Sequence, residues 1–478
     1  MDILELRSHY PMLSRLINGH PLIYFDNSAT ALKPDVMLNA LQQFYLFYDS
    51  NVYRGWHVPS AQATHLYEES RRIIASFLGT TANNIVFITN TTDGMVKIAS
   101  TLKIKKVLLC LDLHHSSMLP FREKFKYKFV KLKEDGSVDL SDLRSKIKDA
   151  DAVITNHASN VTGVIQDVEQ IGEMCHRYDK LCIVDGAQSV PHIPYNVEKM
   201  PIDALVFSGH KIGGPYGSGA MYISKRMQAK MKPIGGGESI KNVVYDGKDL
   251  KITYADFPHC LEAGTPSIAN QIALAQVIDF LKDKIQDALK HEREVIKPIY
   301  DLYKEKNIRF LGPDLDNRGG LIASALLPCF SLKLATWGIC SRYGYHCAEP
   351  LHHFLKSPPT LRFSVYVYNT IEEGYQVAEA LSSLLKGEPP NIDTLVYPEP
   401  SITPVQIAFN PCRNCHLCDN LSTQAKDVLM KCPFIPFYIK NKYFTRFQRK
   451  LVERAKSKAL EYSKKVVENE AQAVEKKG

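Results

Sequence analysis

FSGHKIGGPYGSGAMY, residues 207–222, sets a lysine between the end of an apolar run and a glycine-rich turn. The run that feeds it, ALVFS (204–208), reads as a buried strand. Lys211 then falls just past a strand's carboxyl end, where open α/β sheets gather their ligands. Ser208 and His210 flank it with hydrogen-bond donors suited to a phosphate, and the glycines allow close backbone approach. Taken alone, a solvated lysine ahead of a glycine turn would leave the same pattern, because lysines are mostly surface residues.

The neighbouring sequence repeats the theme. IVFI (85–88), KVLLCL (106–111), AVIT (152–155) and LCIVD (181–185) are further short apolar runs with the look of buried parallel strands. Amphipathic stretches lie between them, such as ATHLYEESRRIIASFLG (63–79) and VEQIGEMCHRYD (168–179). The pattern predicts an α/β architecture with a mainly parallel sheet over 21–280, after a short N-terminal segment, 1–20. A smaller α/β unit, 281–388, is expected to be entered by one long helix over 268–306. A Pro-rich linker (389–410), a Cys-rich module (411–435) and a basic helical tail (436–478) complete the predicted organisation.

Three more pieces carry chemistry. IVDGAQSVPH (183–192) places Asp185 at a strand end, where a buried carboxylate needs a partner. A protonated pyridine nitrogen is such a partner, and the pair turns the ring into an electron sink; Gln188 is set to reach a phenolic oxygen of the same ring. ITNTTDGMVKIA (88–99) reads as strand, polar turn at Asp93-Gly94, and helix start. Thr91, Thr92 and the first backbone N–H groups would form an anion site there. LHHSSMLPF (113–121) offers an imidazole able to stack on a flat ring. Helix capping and a structural histidine are the ordinary alternatives for the last three pieces.

Composition narrows the class. A chain of 478 residues exceeds one compact domain, and 45% hydrophobic with 23% charged residues excludes a disordered or fibrous protein. No apolar run approaches the roughly 18 residues of a membrane span, and MDILELRSHYPMLSRL lacks the features of a secretory signal, so a cytoplasmic chain is expected. The net charge of +8 sits almost wholly in the tail, where twelve Lys or Arg face five Glu between Lys440 and Lys477.

The ordered set — anion site, stacking His, Asp-x-x-Gln, Ser-x-His-Lys — resembles the fold-type I, class V aminotransferase superfamily. Within it the chain is similar to the type II cysteine desulfurases, the SUF-system and NifS-like group. The resemblance covers about 1–388 and includes YFDNSATALKP (24–34), YRGWHVPSAQAT (53–64), HASNVTGV (157–164), LEAGTPS (261–267), RYGYHCAEP (342–350) and LRFSVYVYNTIEE (361–373). It implies pyridoxal 5'-phosphate held as a Schiff base on Lys211, which also moves protons. It further implies Asp185 on the pyridine nitrogen, Gln188 on the phenolic oxygen and His115 on the ring face. Thr91, Thr92, Ser208 and His210 would hold the phosphate, with Thr265 reaching the site of a second copy in a homodimer. Arg54, Asn160, Arg342 and Arg362 would bind substrate, Arg362 gripping its carboxylate. Cys347 would attack the sulfur of L-cysteine, leaving alanine and a persulfide; a thiolate is needed, and His346 and Arg342 are the cations expected to favour it. Selenocysteine lyase, cysteine sulfinate desulfinase and a repurposed iron–sulfur or sulfur-carrier protein are the competing readings.

Tyr53, where relatives often carry His, departs from the pattern, as do Glu349 and the pair His352-His353 after Cys347. Beyond the resemblance, Cys412, Cys415, Cys418 and Cys432 form a C-x2-C-x2-C run followed by Cys-Pro. Such spacing suits a [4Fe–4S] cluster or a tetrahedral zinc site, and the thiols also suit acceptance of sulfur from Cys347. The basic tail is expected to be a solvated helix, with tRNA or an acidic scaffold or carrier protein as its candidate partners.

Overall fold

The computed structural model describes residues 2–386. The linker, Cys412, Cys415, Cys418, Cys432 and the basic tail lie outside the described residues.

Seven strands form the central sheet: β1 (Ile85–Ile88), β2 (Lys106–Cys110), β3 (Lys126–Val130), β4 (Ala152–Asn156), β5 (Leu181–Asp185), β6 (Ala204–Ser208) and β7 (Gly219–Ile223). Their spatial order is β1-β7-β6-β5-β4-β2-β3. All run the same way except β7, which is antiparallel to both neighbours. Residues 209–218 are too few for the crossover of about a dozen residues that parallel strands require, so β7 returns alongside β6 as a hairpin partner. The five strands expected from apolar runs are all present. β3 was not foreseen because it is an edge strand whose first three residues, Lys-Tyr-Lys, face solvent, a common protection of a sheet edge. β7 was masked by its glycines.

Helices α1 (Val58–Leu78), α2 (Thr91–Thr101), α3 (His115–Lys124) and α4 (Val168–Arg177) connect or cover these strands. α1 ends on Gly79 in the left-handed conformation, φ 70°. A solvent-facing hairpin follows the sheet, β8 (Ile240–Tyr245) paired with β9 (Leu250–Tyr254).

The helix expected over 268–306 is two helices, α5 (Ile268–Leu281) and α6 (Ala288–Glu305). α5 is buried nearly all round and belongs to the core beneath the large sheet. α6 buries one face, through Val295, Ile296 and Ile299, in a second core. Each half answers to a different core, and the polar stretch 282–287 between them takes the bend. The second core lies on a small antiparallel sheet, β10 (Leu321–Ser324), β11 (Arg342–Gly344) and β12 (Thr360–Ser364), ordered β10-β12-β11, and is closed by α7 (Ile371–Leu385). Ile23 and Phe25 also belong to it, and Ile23–Tyr24 pairs with Ile339–Cys340, so residues just after the N-terminal segment cross to the smaller unit. Among the described residues no helix is long and apolar enough to cross a membrane.

Candidate active site

The site forms where the carboxyl ends of β1, β6 and β5 meet residues from the small sheet. Gly219 of β7 sits level with Ile88 and Ser208, and a Cβ there would lie 2.6 Å from the Phe207 carbonyl oxygen. The missing side chain lets the ends of β1 and β6 cooperate. The Thr91 backbone N–H donates to Ser208 Oγ at 2.8 Å, and the two hydroxyls are also 2.8 Å apart. α2 begins at Thr91, capped by Asn90, whose Oδ1 accepts from the Asp93 N–H at 3.0 Å. The Asp93-Gly94 turn expected from sequence is therefore the helix's first turn, and Gly94 is demanded by Val206, whose Cγ1 would lie 2.5 Å from a Cβ. Thr92 Oγ1 donates to Ser116 Oγ at 2.7 Å.

Lys211 lies in the short helix Gly209–Ile212 that leaves β6 and stops at Gly213, φ 103°. Its amine makes no hydrogen bond or ion pair to the described residues. Burial drives its pKa down to about 8, with the Asp185 carboxylate and Cys347 pulling upward and Arg362 downward. The lowered value raises the neutral fraction far above that of an ordinary lysine, and the neutral amine is a nucleophile toward carbonyl carbon. Asp185, one strand over, accepts from Ser117 Oγ and from the Ala187 N–H at 2.9 Å. Gln188 donates through Nε2 to the Ser28 carbonyl at 2.7 Å.

The histidines sort differently from the expectation. His115 Nε2 lies 2.6 Å from Glu349 Oε2, which directs the ring toward that carboxylate. His114 is the imidazole in electrostatic reach of the lysine: burial, then Lys211, His115 and Arg362, lower its pKa to about 3. Its Nδ1 accepts from the Ser116 N–H at 3.1 Å. Of the two adjacent imidazoles, His114 is the one whose surroundings include Lys211 and Arg362, while His115 is engaged with Glu349. His210 is held neutral too, its pKa lowered to about 4 by burial, Lys211 and Lys33. Its ring lies parallel to Tyr216, centroids 5.6 Å apart, and its buried Nδ1 has no partner among the described residues.

Arg342 on β11 and Arg362 on β12 stand directly opposite each other. Asp26 bridges them, with Arg342 Nε and Nη2 at 3.0 and 2.7 Å and Arg362 Nη2 at 3.4 Å. Arg362 Nη1 also donates to the Asn160 carbonyl at 2.9 Å, and burial lowers its pKa to about 10, so it stays cationic at neutral pH. Asn160 Nδ2 donates to the His346 carbonyl at 2.8 Å. Cys347 is exposed, on a loop where His346 and Cys347 both have positive φ, 54° and 55°. Two adjacent left-handed non-glycine residues cost roughly 1–2 kcal/mol each and persist only when tied down. The ties are the Asn160 bond, the His115 N–H donating to the Cys347 carbonyl at 3.0 Å, and His346 Nε2 lying 3.0 Å from Thr360 Oγ1. Burial and the arginines keep His346 neutral, which removes it as the cation expected beside Cys347. Arg342 and Arg362 both feel the cysteine electrostatically and take that place.

Two expected residues stand apart. Arg54 is held by the Gly237 and Ile240 carbonyls at 3.3 and 3.1 Å and by Glu238 at 3.4 Å, with no contact to the group around Lys211. Thr265 is exposed on the loop before α5. Sequence reading passed over Asp26, Ser117 and His114 as site residues. Asp26 stands in the quoted YFDNSAT, but nothing local in the sequence says which cations it meets.

The residues present fit pyridoxal phosphate. They supply a partly buried lysine with a lowered pKa, an anion cradle of hydroxyls and helix N–H groups, an orphaned His210 Nδ1, and a buried carboxylate at the end of the adjacent strand. A class-V aminotransferase family model matches residues 23–376, and the chain belongs to that family. A probable cysteine desulfurase of Pyrococcus abyssi is 37% identical over 389 residues, 76% of this chain and 94% of that protein. Among solved structures, the apo cysteine desulfurase of Thermococcus onnurineus NA1 superposes with a TM-score of 0.75 at 33% identity, covering 80% of this chain and 98% of its own. The Escherichia coli cysteine desulfurase CsdA, in an S-sulfonic acid form, gives 0.72 at 28%, covering 81% and 99%. The family match stops short of the Cys-rich run and the basic stretch. Among the described residues, no group of three or more His, Cys, Asp or Glu is placed to hold a metal.

Proposed function

We propose that this chain is a pyridoxal-phosphate-dependent cysteine desulfurase that converts L-cysteine to L-alanine and leaves the sulfur as a persulfide on Cys347. The carrying observation is that a strained, exposed cysteine loop is tied into the same pocket as a partly buried lysine of lowered pKa and two arginines. Thr91, Thr92, Ser208 and His210 would hold the phosphate, Asp185 the pyridine nitrogen, Gln188 the phenolic oxygen, and His114 the ring face. Bound there, the cofactor supplies an electrophilic carbon and a ring that accepts the electron pair of a breaking bond at the substrate's Cα.

The protein's own groups do the rest. Arg362 grips the substrate carboxylate, with Asn160 fixing the guanidinium from behind through its carbonyl. Lys211 Nζ, freed when the substrate amine takes its place, accepts the Cα proton and later returns one to carbon. Cys347 Sγ, as thiolate, attacks the substrate sulfur; the new S–S bond forms as the carbon–sulfur bond breaks, and its electron pair ends as a C–H bond of alanine. Net, L-cysteine and a thiol become L-alanine and a persulfide. Arg342 and Arg362 lie within electrostatic reach of the attacking sulfur.

The working unit is a homodimer, in which exposed Thr265 serves the phosphate of a second copy and Arg54 serves substrate from its own loop. The sulfur goes to iron–sulfur assembly or to thiolation in a reducing cytoplasm, by way of a scaffold or carrier protein. Cys412, Cys415, Cys418 and Cys432 bind a [4Fe–4S] cluster or zinc, or take the sulfur themselves, and the basic tail offers a surface for tRNA or an acidic partner. Anaerobic incubation with L-cysteine and an excess of a dithiol reductant, which releases the persulfide sulfur as sulfide, should yield alanine and sulfide in equal amounts. Cys347→Ala should lose this by at least about a hundredfold while keeping the cofactor's absorbance; undiminished sulfide release would refute the role of Cys347. Metal analysis of the same protein, with and without residues 411–435, tests the tail.

A further inference from the structure

His352 departs from the sequence pattern of the family, and the reaction described above gives it no task. It is nevertheless fully buried, in the helix Glu349–Phe354 that follows Cys347. Both of its ring nitrogens are engaged. Nδ1 lies 3.1 Å from the Ala348 carbonyl oxygen and Nε2 lies 3.2 Å from Thr360 Oγ1. The same hydroxyl lies 3.0 Å from His346 Nε2. His346 and Ala348 are the two neighbours of Cys347 in sequence. A closed circuit of hydrogen bonds therefore leaves the chain just before the nucleophile, passes through Thr360, and returns just after it. Thr360 opens β12 and shares a face with Arg362 two positions on, so the circuit is fastened to the strand that carries this arginine.

The direction of each bond follows from the donors present. A carbonyl only accepts, so His352 Nδ1 carries a proton. Burial lowers the pKa of His352, and burial with Arg362, His352 and Arg342 lowers that of His346 well below the ordinary range, so both rings are neutral near pH 7. A neutral imidazole has one N–H, which makes His352 Nε2 an acceptor. The single hydroxyl hydrogen of Thr360 goes to it, and the Thr360 oxygen accepts from His346 Nε2–H. His346 Nδ1 is then a bare lone pair, and it is the ring atom that is buried with no partner among the described residues. Without His352 the Thr360 hydrogen is free to turn toward His346 Nε2. That would move the His346 proton to Nδ1, where no acceptor waits.

We propose that His352 is a positioning residue for the nucleophile: by taking the one hydrogen of Thr360 it fixes His346 in its Nε2–H form, and this holds the strained turn at His346 and Cys347 in a single conformation. The turn needs such support because both residues have positive φ, 54° and 55°. The bond from Asn160 to the His346 carbonyl survives loss of His352, so the loss of function is partial. The inference rests on the desulfurase reading for the step it affects, sulfur transfer to Cys347, but not for the circuit itself.

The experiment uses the full chain loaded with cofactor, with cofactor content as the control for folding. Rapid-quench single turnovers measure persulfide formation on Cys347, and the absorbance change on mixing with L-cysteine measures substrate binding. His352→Leu should slow persulfide formation about tenfold with binding within about twofold of the wild type. His352→Gln, which keeps an acceptor for Thr360, should recover most of the loss. Thr360→Val should cost at least as much as His352→Leu, and adding His352→Leu to it should cost nothing further, because both act through one hydroxyl. Losses that multiply to about a hundredfold in the double variant, equal loss in the Leu and Gln variants, or a defect confined to binding would each overturn the proposal. If the wild type forms no persulfide from cysteine, the desulfurase reading fails, and amide hydrogen exchange of residues 342–350 decides the role of His352. Exchange should quicken about tenfold in His352→Leu and in Thr360→Val and stay near the wild type in His352→Gln; an unchanged rate in His352→Leu would refute it.

Discussion

The pocket has two walls made by different means. The wall from the large sheet — Thr91, Asp185, Ser208, His210 and Lys211 — is built from residues at or just past the carboxyl ends of β1, β5 and β6, with β7 between β1 and β6, so the register of one sheet brings them together. The wall from the small sheet — Arg342, Cys347 and Arg362 — depends on side-chain ties between distant segments. These include Asp26 on both arginines, Asn160 on the Cys347 loop and Glu349 on His115. The first wall is rigid by topology. The second is held by polar ties across units with separate cores, and its key loop stays strained. A desulfurase needs both: a fixed electrophile, and a nucleophile that can leave with its sulfur.

The contrast can be broken first at the ring face. His114→Ala should weaken retention of pyridoxal phosphate by about tenfold, whereas His115→Ala should change it by less than about twofold. Equilibrium dialysis of the cofactor measures both, and the reverse order would return the stacking role to His115.

pH sharpens the rigid wall. Attack on the cofactor's aldehyde needs a neutral amine, and burial brings Lys211 to about 8 from an ordinary value near 10.5. The rate at which cofactor-free protein captures pyridoxal phosphate should therefore rise with pH and level off just above 8. Stopped-flow absorbance tests this, and a rate still climbing at about pH 10, the range of an ordinary lysine, would mean that the amine is solvated.

The smallest effect belongs to the tied wall. Glu349→Ala removes the His115 contact beside Cys347 and should lower kcat about fivefold with KM for cysteine unchanged; Glu349→Gln, which keeps a polar group of the same shape, should recover most of the loss. Equal loss in both variants, or a change confined to KM, would argue against a role in placing the nucleophile.

The same contrast explains what could be read in advance. Strand-end chemistry leaves a local signature, because an apolar run followed by a polar residue marks where a strand ends; the placement of Lys211, Asp185 and Ser208 at adjacent strand ends was legible for that reason. Choosing between His114 and His115 was not, since adjacent residues at a helix start point to different sides and only three-dimensional placement says which faces the lysine. His346 looked like a cation for Cys347 by adjacency, but burial keeps it neutral and the charge comes from β11 and β12. Asp26 gains its meaning only through arginines more than three hundred positions away. The bend between α5 and α6 was hidden because apolar spacing continues through both helices while the core they serve changes.

The central claim is that Lys211 carries the cofactor, and it has a built-in rival. Lys33 is a second partly buried lysine beside this site, its Nζ 3.0 Å from the His210 carbonyl and its pKa likewise lowered by burial to about 8. Borohydride reduction of the holoenzyme followed by peptide mapping should place the pyridoxyl label on Lys211 alone. A label on Lys33, or none on either, would contradict the account.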